Sequence, residues 1–206
     1  METKTGTTTI GLVYKGGVIL AADKRATAGN IVAHKNIDKV HQLSDGAGIT
    51  IAGLVGDVQA VVRIMRAEIA LHEMRSGMKM STQAIVGLLS TILFNGRMSM
   101  NPFLGGFILG GFDTKPQVYE LDEVGSQMAD RFTVTGSGGV FALGVLEADY
   151  KDDMEEEDAI KLAYKAVYTS IKRDTYTGEA VDIAVINKKG YKRLTQEEIQ
   201  KIISTQ

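Results

Sequence analysis

Gly6-Thr7-Thr8-Thr9-Ile10-Gly11-Leu12-Val13-Tyr14-Lys15-Gly16-Gly17-Val18-Ile19-Leu20-Ala21-Ala22 reads as a β-hairpin with which the fold opens. Alternation places Thr7, Thr9, Gly11 and Val13 on one face of a strand and Thr8, Ile10, Leu12 and Tyr14 on the other. Lys15-Gly16-Gly17 has the length and chemistry of a tight turn into the apolar run from Val18 to Ala22. A second hairpin is predicted around Gly46 and Gly48, between a run from Val40 to Ser44 and Ile49-Thr50-Ile51-Ala52.

From Asp57 the period becomes helical through Val58, Val61, Val62, Met65, Ile69 and His72, with Gly77 as the stop. Ser81 is placed as the N-cap of a second helix carrying Ile85, Leu88, Leu89 and Ile92 and closed by Asn95-Gly96; the two helices should pack antiparallel. Phe103 to Phe112, Val118 to Leu121 and Phe132 to Thr135 read as three strands, with Asp113 to Pro116 as a turn. The glycine pairs 105–106 and 110–111 within the first of these mark bulges or close backbone contact. Helices follow from Val140 to Tyr150 and from about Glu155. The second begins with Glu155, Glu156, Glu157 and Asp158 and ends with Lys172 and Arg173, as the helix dipole favours, with Ile160, Tyr164, Val167 and Ile171 as its buried stripe. A hairpin over Val181 to Leu194 turns at Asn187 to Gly190, and Thr195 with Glu198 makes a capping box for a last helix bearing Ile199, Ile202 and Ile203. Strand runs separated by helix pairs predict an α+β fold, a four-layer αββα sandwich of two antiparallel sheets between helix layers.

The 206 residues, 44% apolar and 23% charged, suit one globular domain, and two prolines without a glycine-serine linker argue against a second. A net charge of -2 disfavours nucleic acid or an anionic membrane as partner. No apolar run approaches the roughly 18 to 20 residues of a membrane helix, and the first ten residues carry Glu2 and Lys4 without an apolar segment, so the expected location is cytoplasmic. Without cysteine, the available chemistry is hydroxyl, carboxylate, amine and imidazole. Gly136-Ser137-Gly138-Gly139 lacks the third glycine of a dinucleotide fingerprint, where Phe141 stands. His34, His41 and His72 lack metal-ligand spacing, and the acidic run from Asp152 to Asp158 is accounted for as a helix start; no metal or other cofactor is expected.

Three threonines in a row are by themselves ordinary strand residues, yet Gly6 before Thr7 gives an unhindered backbone at a potential scissile bond. The decisive pattern is joint: Gly6-Thr7-Thr8-Thr9-Ile10-Gly11, Ala22-Asp23-Lys24-Arg25-Ala26-Thr27, Lys39, Ala52-Gly53-Leu54-Val55-Gly56-Asp57, Gly136-Ser137-Gly138 and Asp174-Thr175-Tyr176-Thr177-Gly178 stand in order. On these motifs the chain, from Thr7 to its last helix, resembles a proteasome β subunit of the archaeal type, an N-terminal-nucleophile hydrolase.

The resemblance implies that residues 1–6 are a propeptide removed by autocleavage between Gly6 and Thr7, leaving 7–206 as one catalytic domain. Thr7 is then the nucleophile, and its own α-amine, with a pKa near ~8, can take the hydroxyl proton at neutral pH where an ordinary lysine is protonated. By the same resemblance Lys39 lies beside Thr7 and Asp23 pairs with Lys39, although a lone Asp-Lys pair is usually a surface ion pair of little consequence. Ser137 and Asp174 support the threonine, Thr177 stands where serine is frequent in the family, and Arg25 braces the site. The Gly53 N–H is the implied oxyanion donor. Thr27, Gly53 and Val55 would pair with an extended substrate, and Ala26, Ile37, His41, Ile51, Val55 and Gln59 form a largely apolar specificity pocket. The implied partners are proteasome α subunits, other β subunits in heptameric rings, an ATP-dependent unfoldase acting through the α ring, and unfolded polypeptides. Two rival readings are a non-catalytic ring component, against which Thr7, Asp23, Lys39, Ser137 and Asp174 all stand, and the peptidase of the simpler bacterial ring protease or a related amidase.

Overall fold

The first hairpin pairs β1 (Thr9–Tyr14) with β2 (Gly17–Asp23), in register from Thr9 opposite Ala22 to Tyr14 opposite Gly17. Both strands are buried almost throughout because each face is covered, an arrangement that trades strict polar alternation for apolar residues on both sides. The computed structural model describes residues 6–205, so the expected propeptide lies outside the described residues except for Gly6.

A short ribbon of β3 (Ala26–Ala28) and β4 (Ile31–His34) follows, then the second predicted hairpin, β5 (Val40–Ser44) and β6 (Ala47–Gly53). Helix α1 (Val55–Ser76) ends, as expected, at Gly77, whose positive φ gives a left-handed cap. Helix α2 (Thr82–Met98) begins at the Ser81 cap, but Asn95-Gly96 does not close it. Gly96 lies inside the helix, and its carbonyl accepts the Asn101 N–H as the chain folds back across it, so its small size serves the return of the loop.

Strands β7 (Gly105–Phe112), β8 (Pro116–Leu121), β9 (Gln127–Asp130) and β10 (Phe132–Thr135) come next. Beyond them are α3 (Gly139–Asp149), α4 (Glu156–Arg173), β11 (Val181–Asn187), β12 (Gly190–Arg193) and α5 (Gln196–Ser204), the last carrying the predicted capping box. In α4, Ile160 and Val167 are buried as expected; Tyr164 and Ile171 are only half-buried, and Ala163, Ala166 and Ser170 face inward instead.

Two five-stranded antiparallel sheets result, in the orders β10-β1-β2-β11-β12 and β5-β6-β7-β8-β9. Ile10, Leu12, Ile19 and Ile183 pack outward on Ala163 and Val167 of α4, while Ile49, Ile51, Phe107 and Leu109 of the second sheet pack on Val62, Met65 and Leu89 of α1 and α2. Between the sheets lies a third layer of Val18, Leu20, Ala22, Val40, Ile108, Val118, Ala184 and Ile186. Each buried Val, Leu or Ile side chain of this layer contributes about 1.5 to 3 kcal/mol through removal from water. The glycine pairs of β7 make no bulge; they mark close contact, Gly110 against Val18 and Leu20 of the facing sheet and Gly106 against Thr135. Among the described residues, no helix is long and apolar enough to cross a membrane.

Candidate active site

Hairpin register carries the first part of the site. The Asp23 N–H donates to the Thr8 carbonyl (3.2 Å), so the carboxylate at the end of β2 lies beside Thr7 and Thr8 where they lead into β1. Asp23 Oδ1 accepts from Thr7 Oγ1 (2.7 Å), from the Thr8 N–H (3.0 Å) and from Lys39 Nζ (2.7 Å). Its Oδ2 accepts from the backbone N–H groups of Arg25 (3.1 Å) and Gly178 (2.9 Å). A fully buried carboxylate is tolerated when donors surround it, and five do so here.

Lys39, just before β5, is held from behind by its carbonyl, which accepts the Ile51 N–H of β6 (3.3 Å). Its Nζ makes a short contact with Thr7 Oγ1 while bridging to Asp23. Burial pushes this amine below the ordinary lysine range, and the Asp23 charge opposes that shift without cancelling it. The Thr7 hydroxyl therefore touches an amine that gives up its proton more readily than a surface lysine, with a carboxylate on the other side.

The Thr7 nitrogen faces a second set. Its N–H donates to Ser137 Oγ (3.2 Å), and Ser137 Oγ lies 2.6 Å from Asp174 Oδ2, which also receives Thr177 Oγ1–H at 2.5 Å. Because that proton is committed to Asp174, the 2.8 Å contact between Thr8 and Thr177 hydroxyls is donated by Thr8. Gly136, with φ of +92°, passes so close that a Cβ there would stand 2.1 Å from the Thr7 carbonyl oxygen. Arg25 spans the turn beyond Asp174, donating to the Thr175 carbonyl (3.1 Å) and to Glu179 (3.2 Å).

A cavity of about 380 Å³ opens beside Thr7, where Ala26, Thr27, Ile37, His41, Ile51, Gly53, Val55 and Gln59 line it as the sequence reading expects, and Gly6, Asn36, Asp38 and Val58 line it as well. Gly53 also borders a smaller cleft of about 220 Å³ that again contains Thr7, with Leu104 and Gly136. His41 lines the larger cavity, and burial holds its imidazole below the ordinary histidine range, with Arg66 and Arg193 adding to the effect. Two larger surface clefts, near α3–α4 and near the β11–β12 turn, do not contain Thr7. All predicted site residues thus converge on one end of the two sheets. Sequence reasoning missed Thr8, whose hydroxyl ties the first strand to the 174–178 turn, and the Gly178 N–H on Asp23; nothing local in the sequence signals either.

Two antiparallel sheets packed face to face between helix layers, with a threonine hydroxyl at the head of a central strand, define the sandwich of the N-terminal-nucleophile hydrolases. The family profile described as "Proteasome subunit" matches residues 3–186. Similar chains include the "Proteasome subunit beta" of Methanocaldococcus vulcanius, 47% identical over 206 aligned residues that cover 98% of this chain and 92% of that one. The "Proteasome subunit beta 1" of Thermococcus onnurineus is 42% identical, covering 96% and 97%, and the "Proteasome subunit beta" of Methanopyrus kandleri is 42% identical, covering 97% and 96%. The chain belongs to the proteasome subunit family.

Proposed function

We propose that this chain is a catalytic β subunit of a 20S proteasome core particle, a threonine endopeptidase that degrades unfolded polypeptides inside a closed chamber and activates itself by cleavage between Gly6 and Thr7. The observation that carries this is the Thr7 hydroxyl held between Lys39 and Asp23 while its nitrogen faces Ser137.

In self-cleavage, Thr7 Oγ adds to the Gly6 carbonyl and its proton passes to the Lys39–Asp23 pair. The Gly6–Thr7 C–N bond breaks as the nitrogen takes a proton, and the Gly6 acyl group is left as an ester on Oγ. Water then hydrolyses the ester, releasing residues 1–6 with a Gly6 carboxylate and restoring the Thr7 hydroxyl beside the α-amine that the bond cleavage freed. That amine becomes the general base for substrates. It takes the hydroxyl proton as Oγ attacks a peptide carbonyl and passes it to the departing amide nitrogen, and water activated by the same amine releases the acyl group. Gly53 N–H stabilises the developing oxyanion, and Ser137, Asp174 and Thr177 hold the amine in line. Thr27, Gly53 and Val55 bind the substrate main chain as an added strand.

Assembly follows from surfaces a lone subunit leaves uncovered. Phe94, Met98 and Met100 are exposed around the end of α2, and Val140, Phe141 and Leu143 on α3. These faces suit packing within seven-membered β rings and against rings of α subunits, through which an ATP-driven unfoldase would deliver substrates. The cytoplasm is the compartment this reading assigns.

Intact mass tests the reading most directly. After co-assembly with α subunits the chain should lose residues 1–6 and begin at Thr7; a full-length chain in an assembled particle would favour a non-catalytic ring component. The pocket carries a separate expectation: with Ala26, Ile37, Ile51 and Val55 around it, fluorogenic peptides ending in Leu or Tyr should be cut faster than those ending in Arg or Glu. The reverse order in a kcat/KM comparison would reject the pocket assignment.

A further inference from the structure

In the unprocessed chain, residue 6 is clamped. Its N–H donates to Thr27 Oγ1 (3.3 Å), and the next N–H donates to Ser137 Oγ, which fixes the direction in which a side chain at position 6 would point. A Cβ built there would stand 1.9 Å from Tyr176 Cβ, 2.6 Å from Tyr176 Cγ and 2.7 Å from Ser137 Oγ, and these are its three nearest atoms. None belongs to the apolar walls that Ile37, Ile51 and Val55 give the cavity.

Tyr176 Cβ is one bond from main chain that is tied on every side. The Tyr176 N–H donates to Asp174 Oδ1 (3.3 Å), the Gly178 N–H to Asp23, and Arg25 to the Thr175 carbonyl. The turn therefore has little freedom to retreat from an added carbon, and real carbon atoms do not approach within 2 Å without a bond.

We infer that Tyr176 is the residue that restricts position 6 to glycine, so that self-cleavage and substrate cleavage are selected on two different surfaces of one site. This rests on the processing reading above. A side chain at position 6 is judged by the 174–178 turn; the side chain of a bound peptide is judged by the apolar cavity. One turn can thus be altered without changing what the mature enzyme cuts, and the cavity without changing what may precede Thr7.

The test follows processing by intact mass and mature specificity by fluorogenic peptides, in particles assembled with α subunits. Gly6→Ala should slow processing about a hundredfold, and adding Tyr176→Gly should restore it to within about tenfold of wild type, the Ser137 contact remaining. Tyr176→Ala keeps the Cβ and should not rescue, nor should Ile37→Ala, which enlarges the cavity instead. The ratio of Leu- to Arg-ending peptide cleavage should move with Ile37→Ala and stay constant with Tyr176→Gly.

Normal processing of Gly6→Ala would overturn the inference, as would failure of Gly6→Ala/Tyr176→Gly while Tyr176→Gly alone is processed. A Tyr176→Gly chain that assembles but stays unprocessed would also reject it, because Tyr176 would then be needed for the cleavage itself. A wild-type chain that keeps Gly6 in the assembled particle sinks the processing reading first, and this inference with it.

Discussion

Replacing Thr7 by Ala should abolish both peptide hydrolysis and the removal of residues 1–6, a loss of at least about a thousandfold in kcat, as for other nucleophiles that act with a base as a unit. The size of the effect follows from the arrangement. In the structure Lys39 Nζ and Asp23 Oδ1 both converge on Thr7 Oγ1, and among the described residues no other hydroxyl touches both. Thr8 Oγ1 is committed to Thr177, and Ser137 Oγ sits against the nitrogen and Asp174. Thr7→Ser keeps the hydroxyl and the future amine and should retain measurable activity. Peptide turnover by assembled Thr7→Ala particles, free of wild-type chain by mass, would remove Thr7 from the mechanism.

Lys39→Ala should cost on the order of a hundredfold to ten-thousandfold in both processing and hydrolysis, because it removes the proton acceptor proposed for self-cleavage, the amine that touches Thr7 Oγ1 during hydrolysis, and the counter-charge of Asp23. It also carries a stability cost. The ion pair has side chains 8% and 0% exposed, and removing one partner of a buried pair leaves an uncompensated charge, at about 3 to 5 kcal/mol. Lys39→Arg should not rescue activity, since a guanidinium keeps its proton and its planar fork does not match the single gap between Thr7 and Asp23. Asp23→Asn separates the two effects: the amide is nearly isosteric but can satisfy only some of the three backbone and two side-chain donors that meet the carboxylate. Thermal unfolding of assembled particles beside single-turnover acylation rates would distinguish them, and a Lys39→Ala particle with wild-type acylation would discard the role given to this amine.

Some of this was legible from the chain. The first hairpin follows from alternation and the Lys15-Gly16-Gly17 turn; Asp23 entered the site through the resemblance, and the observed register, with Thr9 opposite Ala22, is the reason it lies beside Thr7. Gly77, Ser81 and the Thr195–Glu198 box marked their helix ends through capping chemistry that acts within a few residues. Lys39, Ser137 and Asp174 came from the ordered motifs of the resemblance, since no periodicity links Thr7 to positions 32, 130 or more residues away. The β3–β4 ribbon and β9 were not anticipated, and the cause is physical: every residue of β4 and β9 is exposed, so neither has a buried face to imprint an apolar rhythm. Gly96 shows the opposite failure, a true turn signal overruled by the loop that folds back over it.

The tie between Thr8 and Thr177, together with the Gly178 N–H on Asp23, sets an order in time as well as in space. A ribosome makes residues 7 and 23 well over a hundred residues before it makes residues 174–178. Thr7, the proposed nucleophile, is thus made just ahead of the first strand, while its supports arrive much later. A truncated or half-translated product carries Thr7 without the turn that orients it, so on the proposed reading competence to cut is deferred until residues 174–178 have been made.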